Sequence, residues 1–145
     1  MKHENTDGPG RGKADRENRP VARLRVGSNR SRVNLELIGQ GRDYLLLITG
    51  GEAHVGAVAV WDSAKKGELR AVNEMSGHRE GPLAGECAEI LGRASGRTVV
   101  AVVGIHQDNA LPVEIEAIVA NVRQGAGEMA LFVAPGIREQ RESDD

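Results

Sequence analysis

The stretch Thr49-Gly50-Gly51-Glu52-Ala53-His54-Val55-Gly56 constrains this chain more than any other. It joins two of the most hydrophobic runs in the sequence, residues 44–48 before it and residues 55–60 after it. A Gly-Gly pair bends the backbone where side chains would clash, and it lets another molecule approach the main chain closely. A histidine follows just past the bend. Two later segments repeat the arrangement, Ser76-Gly77-His78-Arg79-Glu80 and Gly104-Ile105-His106-Gln107-Asp108-Asn109. The three glycine–histidine corners read as the parts of one polar ligand site.

The rest of the composition limits what that site can serve. A chain of 145 residues with 39% hydrophobic content suits one domain with a modest core. Aromatics are only 2% (Tyr44, Trp61 and Phe132), so the core is filled by Val, Ile, Leu and Ala. That leaves no stacking platform for single-stranded nucleic acid, and a net charge of -2 provides no basic field for phosphate backbones. Cys87 is the one cysteine, which excludes an internal disulfide and points to the cytoplasm. The charged N-terminus lacks the apolar region of a signal peptide, and no apolar run approaches the ~20 residues of a membrane helix.

Residues 1–19 and 136–145 carry mixed charge without apolar periodicity and are expected to be disordered tails flanking a single domain over residues 20–135. Within the domain, Val33, Leu35 and Leu37 alternate with Asn34 and Glu36, a half-buried strand. The segment from Asp43 to Ile48 is more continuously apolar, as in a central strand. In the run from Val55 to Trp61, Val58 and Val60 share one face and the small Ala57 and Ala59 the other. From His78 the period changes: Leu83, Cys87, Ile90, Leu91 and Ala94 make one helical stripe, ended by Gly96. Thr98 to Val103 reads as a buried strand. Pro112 opens a second helix with the stripe Ile115, Ile118, Val119 and Val122, expected to end or fray at Gly125 and Gly127. The predicted class is α+β: a mixed, mainly antiparallel sheet with two main helices packed on one face. The other face has no helix assigned to it, which predicts a homodimer.

Chemically, His54, His78 and His106 could ligate a divalent metal, with Asp108 or Glu80 completing the shell. Their long spacing matches no compact zinc signature. Glycine turns and helix starts also present N–H groups to phosphate, with Arg79 as a bidentate partner. There is no G-x-G-x-x-G or Walker lysine motif. Cys87 lies on an apolar stripe and reads as core rather than nucleophile.

The runs Asp43-Tyr44-Leu45-Leu46-Leu47-Ile48-Thr49-Gly50-Gly51-x-x-His54-Val55-Gly56, Gly77-His78-Arg79-Glu80 and Gly104-Ile105-His106-x-Asp108-Asn109 occur here in one order. With Gly96-Arg97-Thr98-Val99-Val100 and Glu114-Ile115-Glu116-x-Ile118, they resemble the prenylated-flavin chaperone family, also called LpdD-like. The resemblance spans roughly residues 33–123. It implies a non-catalytic partner of UbiD-type decarboxylases that binds prenylated FMN, made by a flavin prenyltransferase, and assists its delivery. The residues carried over are Thr49, Gly50, Gly51, His54, Gly56, His78, Arg79, Glu80, His106, Asp108 and Asn109, with a divalent metal on His54, His78 and His106 bridging the flavin phosphate. Where a polar helix cap is expected, the chain has Leu111-Pro112. Two other readings stand beside this one: a metal-dependent enzyme built on the histidine set with Asp108 as base, and a ligand-free structural component of a decarboxylase.

Overall fold

A computed structural model describes residues 17–135 of the chain. Strand β1 (Asn18–Val26) and strand β2 (Val33–Gln40) form an antiparallel hairpin around a 3-10 turn at Asn29–Ser31. Strand β3 (Asp43–Gly51) follows β2 through a tight turn in which Gly41 takes φ 57°. Strands β4 (Ala57–Asp62) and β5 (Glu68–Glu74) form a second antiparallel pair. Helix α1 (Gly81–Ser95), strand β6 (Val99–His106) and helix α2 (Pro112–Val133) complete the described chain.

The strands make one six-stranded sheet in the order β1-β2-β3-β6-β4-β5. Among them, β3 and β6 run parallel, since β6 returns through a helix rather than a turn. Helix α1 carries the chain from the edge strand β5 back over β4, so β6 is inserted between β3 and β4. The two hydrophobic runs flanking the Gly-Gly bend are therefore separated in the sheet by a strand formed much later in the chain.

Alternation decides which sheet face meets the helices. Val33, Leu35 and Leu37 of β2, Leu46 and Ile48 of β3, Ala57 and Ala59 of β4, and Val99, Ala101 and Val103 of β6 are all buried on one side. Both helices pack there, α1 over β4, β5 and β6, and α2 over β1 and β2. The small Ala57 and Ala59 let α1 approach closely. No helix among the described residues covers the opposite face, and its Leu45, Leu47, Val58, Val60, Val100 and Val102 are half-buried. The fold is the α+β arrangement expected, with both helices on one face.

Two details differ from expectation. Strand β1 starts at Asn18, ahead of the expected boundary at Pro20, because Asn18 and Arg19 join the ladder opposite Gln40 and Gly39. Backbone pairing of that kind needs no apolar pattern. The remainder of the expected tails, residues 1–16 and 136–145, lies outside the described residues. Helix α2 also does not stop at Gly125 or Gly127 but continues to Val133. Each glycine lowers helix propensity by ~1 kcal/mol relative to Ala, yet burial of Val122, Ala126, Met129 and Val133 along one stripe outweighs that. Gly125 sits where a Cβ would stand 2.5 Å from Leu35 Cδ1, so the glycine is what lets α2 lie against β2. Cys87 is fully buried, as its stripe position implied, and its thiol is pushed up to about 12, by burial first and by the Glu86 carboxylate next.

The two glycines of α2 are expected to respond oppositely. A Cβ at Gly127 meets nothing within 4 Å, so Gly127→Ala should stabilise by about 0.5–1 kcal/mol through helix propensity and a more restricted unfolded state. Gly125→Ala should destabilise by about 1–3 kcal/mol through overpacking against Leu35. Urea denaturation of both variants checks the pair, and equal signs would contradict this packing.

Candidate functional site

The parallel pairing of β3 and β6 brings their C-terminal ends side by side, with Gly51 opposite His106. Strand β4 starts, β5 ends and α1 starts at this same end of the sheet. Several chain segments therefore converge outside the carboxyl ends of two parallel strands, a place where open sheets commonly bind ligands. The first segment, residues 52–56, crosses over the end of β6. The Glu52 N–H donates to the His106 carbonyl at 2.9 Å and the Gly56 N–H to the Val103 carbonyl at 2.9 Å. The Met75 N–H, just past β5, donates to the Gly56 carbonyl at 2.8 Å.

Two glycines make this crossing possible. A Cβ on Gly104 would lie 1.5 Å from the carbonyl oxygen of His54, so the His54 backbone rests directly on β6. A Cβ on Gly56 would lie 1.7 Å from Glu80 Oε2, so the Glu80 carboxylate occupies the space that a side chain at residue 56 would fill. Glu80 stands at the N-cap of α1 but makes no side-chain cap hydrogen bond. Its carboxylate turns instead toward the histidines, with Oε1 3.5 Å from the Ile105 N–H.

His54, His78 and Glu80 form one cluster. His54 Nε2 lies 3.2 Å from His78 Nδ1 and 3.7 Å from Glu80 Oε1. His78 Nδ1 lies 3.7 Å from Glu80 Oε2. The two rings are tilted by 34° with centroids 4.5 Å apart. The ligand atoms of all three residues lie within 4.8 Å of one another, close enough to share a metal ion. His106 stands beside the group, its ring edge-on to His54 at 6.4 Å between centroids. Its Nε2 is 2.8 Å from Asp108 Oδ1.

Glu80 and His106 also line a cleft of about 340 Å³ between the start of α1, the end of β6 and the first half of α2. Its walls are mainly apolar, formed by Leu83, Ile105, Ile115, Ile118 and Val119, with Arg79 and Gln107 among the polar lining residues. The volume is at the lower end of the ~300–1,000 Å³ usual for small-molecule sites. Nothing in the sequence marks the aliphatic wall as a binding surface, because Leu83, Ile115, Ile118 and Val119 read there only as helix core. Ile115 is 51% exposed, but helical periodicity does not distinguish a residue facing a cleft from one facing a core.

Other expected site residues are placed differently. The Thr49 side chain lies on the helix-free sheet face and lines a separate depression with Arg23, Asn34 and Leu47. Gly50 faces the core beside Ile105, and Gly51 takes φ 61° against the His106 carbonyl. Arg79 is exposed, and Asn109 holds φ 52° in the turn before α2. That turn is tied down by Arg30, which no sequence motif singles out. Arg30 Nε donates to Glu114 Oε2 at 2.7 Å, and its Nη2 donates to the Asp108 carbonyl at 2.5 Å. The polar cap missing at Leu111 is supplied from within the helix, since the Leu111 N–H donates to Glu114 Oε1 at 3.0 Å.

The prenylated flavin chaperone LpdD-like domain matches residues 27–132 of the chain. No curated protein sequence matches. Among solved structures, a chain from a chaperone complex for yeast 20S proteasome assembly superposes with a TM-score of 0.57 over 81% of this chain and 98% of that one. The two are 5% identical, so the similarity is one of fold alone.

The Glu114 carboxyl is held below its ordinary value of 4.5, first by the Leu111 N–H and then by Arg30. A depressed folded-state pKa contributes stability that is complete above the unfolded value and lost as pH falls through the folded one. Stability should therefore decline as pH falls below the ordinary value of 4.5, and Glu114→Gln should make that decline shallower. Urea midpoints across this range check it; parallel curves for the two proteins would contradict it.

Proposed function

We propose that this chain, which belongs to the prenylated flavin chaperone LpdD-like family, holds prenylated FMN in the cleft beside the histidine cluster and hands it to a UbiD-type aromatic acid decarboxylase. The observation that carries this reading is the combination of aliphatic walls with polar and charged lining residues in one cleft. A flavin needs both: apolar walls for its ring system and cationic or N–H groups for its phosphate. Leu83, Ile105, Ile115, Ile118 and Val119 supply the walls, and Arg79, Glu80 and His106 supply polar lining, with His54 and His78 adjoining the cleft through Glu80.

Among the described residues, no aromatic side chain other than histidine belongs to this site, so ring contact is aliphatic. Weak stacking suits a protein that must release its cargo to another. Val55, Leu111, Val113 and Ile115 are more than half exposed near this end of the sheet, at 53%, 58%, 66% and 51%. They provide an apolar rim at which a decarboxylase or a flavin prenyltransferase could engage. The reading is of a binding protein without turnover, acting in the cytoplasm.

The test is to co-express the chain with a flavin prenyltransferase, purify it without oxygen, and record absorbance and native mass together. A flavin-like band with matching added mass is expected; a colourless protein that also fails to bind supplied cofactor would overturn the reading. His54→Ala and His106→Ala should each lower flavin affinity about tenfold, equivalent to ~1.4 kcal/mol, with unchanged circular dichroism. Full binding by both would remove the site assignment.

The helix-free face supports a second part of the reading, a homodimer in which another copy covers Leu45, Leu47, Val58, Val60, Val100 and Val102. Light scattering at micromolar concentration should give twice the chain mass, and Leu47→Arg should give a monomer. A monomeric wild-type protein would remove the dimer and leave the cleft unaffected.

A further inference from the structure

The site has one polar atom that its neighbours do not account for. Glu80 Oε2 is buried and has no hydrogen-bond partner among the described residues, and it lies in the space left by the missing Cβ of Gly56. A carboxylate oxygen withdrawn from water without a donor is costly, and such an atom marks a place where a cation or donor belongs. We infer that His54 Nε2, His78 Nδ1 and the Glu80 carboxylate bind a single divalent transition-metal ion. This set replaces His106 with Glu80 as the third ligand.

The distances fit one ion. Metal–nitrogen and metal–oxygen bonds of ~2.0–2.2 Å at angles of roughly 90–125° place ligand atoms roughly 2.9–3.7 Å apart. The observed separations are 3.2 Å between the two nitrogens and 3.7 Å from each nitrogen to a Glu80 oxygen. Both histidine–carboxylate distances are too long for a hydrogen bond, so protonating an imidazole does not satisfy Oε2 in this geometry.

The protonation pattern fits as well. His54 Nδ1 faces the Glu52 carbonyl oxygen at 3.1 Å. A carbonyl can only accept, so a neutral His54 in this contact carries its proton on Nδ1. Its Nε2 accepts from His78 Nδ1 when no ion is bound and is free to ligate once an ion displaces that proton. A metal-bound imidazole typically donates its other N–H to such an outer partner. His106 has a comparable outer partner in Asp108, but its ring stands 6.4 Å from that of His54 between centroids, and the close set of ligand atoms is that of His54, His78 and Glu80.

Two imidazoles and one carboxylate suit zinc, cobalt, manganese, iron or nickel rather than a soft thiolate-seeking ion. Three protein ligands leave at least one position open. Because Glu80 also lines the cleft, an anionic oxygen of a bound ligand can complete the shell. The presence of the ion rests on the side chains alone. Its role as the anchor for the flavin phosphate rests on the flavin-holding reading above.

The test uses the full chain, stripped with chelator and titrated with Zn²⁺ by calorimetry and with Co²⁺ by visible absorbance, without flavin. One equivalent per chain is expected, with a cobalt spectrum of mixed nitrogen–oxygen ligation. Glu80→Gln, His54→Ala and His78→Ala should each weaken binding at least about tenfold, with circular dichroism unchanged. Binding well below one equivalent, or wild-type affinity in Glu80→Gln, would overturn the inference. So would a greater loss in His106→Ala than in Glu80→Gln. Affinity for prenylated FMN is then measured without oxygen, with and without Zn²⁺, and a gain of about tenfold or more with the metal is expected. Equal affinity in both arms would overturn the anchoring role and leave the metal site standing. Absence of prenylated FMN binding in both arms would overturn the flavin-holding reading and the anchoring role together, again without touching the cobalt result.

Discussion

The parallel ladder between β3 and β6 is the contact on which the rest of this structure depends. It runs from Tyr44 opposite Val99 to Gly51 opposite His106, and it forms only after α1 has returned the chain from the far edge of the sheet. Parallel pairing of this kind requires a crossover. That crossover places α1 over β4 and brings the segment between β5 and α1 to the carboxyl ends of β3 and β6. His78 and Glu80 lie in that segment, so the connection that completes the sheet also completes the site. The crowding there is resolved by Gly56 and Gly104, where the backbone of residues 52–56 and the Glu80 carboxylate take the room that side chains would occupy.

Burial is unequal on the two faces of the sheet, and that asymmetry organises the molecule. One face is sealed by two helices through a core of aliphatic residues, with Trp61 and Tyr44 also buried in it. The other keeps a band of half-buried Leu and Val that no described helix covers. The cleft occupies the seam at one end, where α2 begins and its apolar stripe extends past the edge of β6. Ile118 is buried there while Ile115 remains exposed. An aliphatic wall next to histidines and a carboxylate is thus a consequence of where α2 starts, and Arg30 holds Glu114 and the Asp108 carbonyl at that start.

Much of the fold is legible locally. Alternation at 33–37, the continuous apolar run at 43–48 and the stripe from Leu83 to Ala94 each correspond to an element, because period and burial are coupled directly through side-chain geometry. The end of α2 departs from expectation for a physical reason. Gly125 and Gly127 weaken a helix intrinsically, but the burial of Ala126 and Met129 outweighs propensity, and one glycine is required by Leu35. The start of β1 is not legible because Asn18 and Arg19 are held in the sheet ladder by main-chain pairing, which leaves no trace in residue type. Of the candidate site residues, the structure gathers His54, His78 and Glu80 closely and sets His106 with Asp108 beside them, while Thr49 points to the other face of the sheet.

By itself the sequence determined that the chain forms an α+β domain with an aliphatic core, that its histidines outside the N-terminal segment fall at glycine-containing corners, and which family it resembles. These follow from residue type and spacing, which act over a few turns or strand positions. Only the tertiary structure decided that β6 would separate β3 from β4, that Glu80 would turn from its helix toward two imidazoles, and that helix-core residues would also form a cleft wall. Those outcomes depend on contacts between segments 24 to 84 residues apart. Their geometry is set by where the crossover places α1 and β6, and local sequence preference carries no record of that placement.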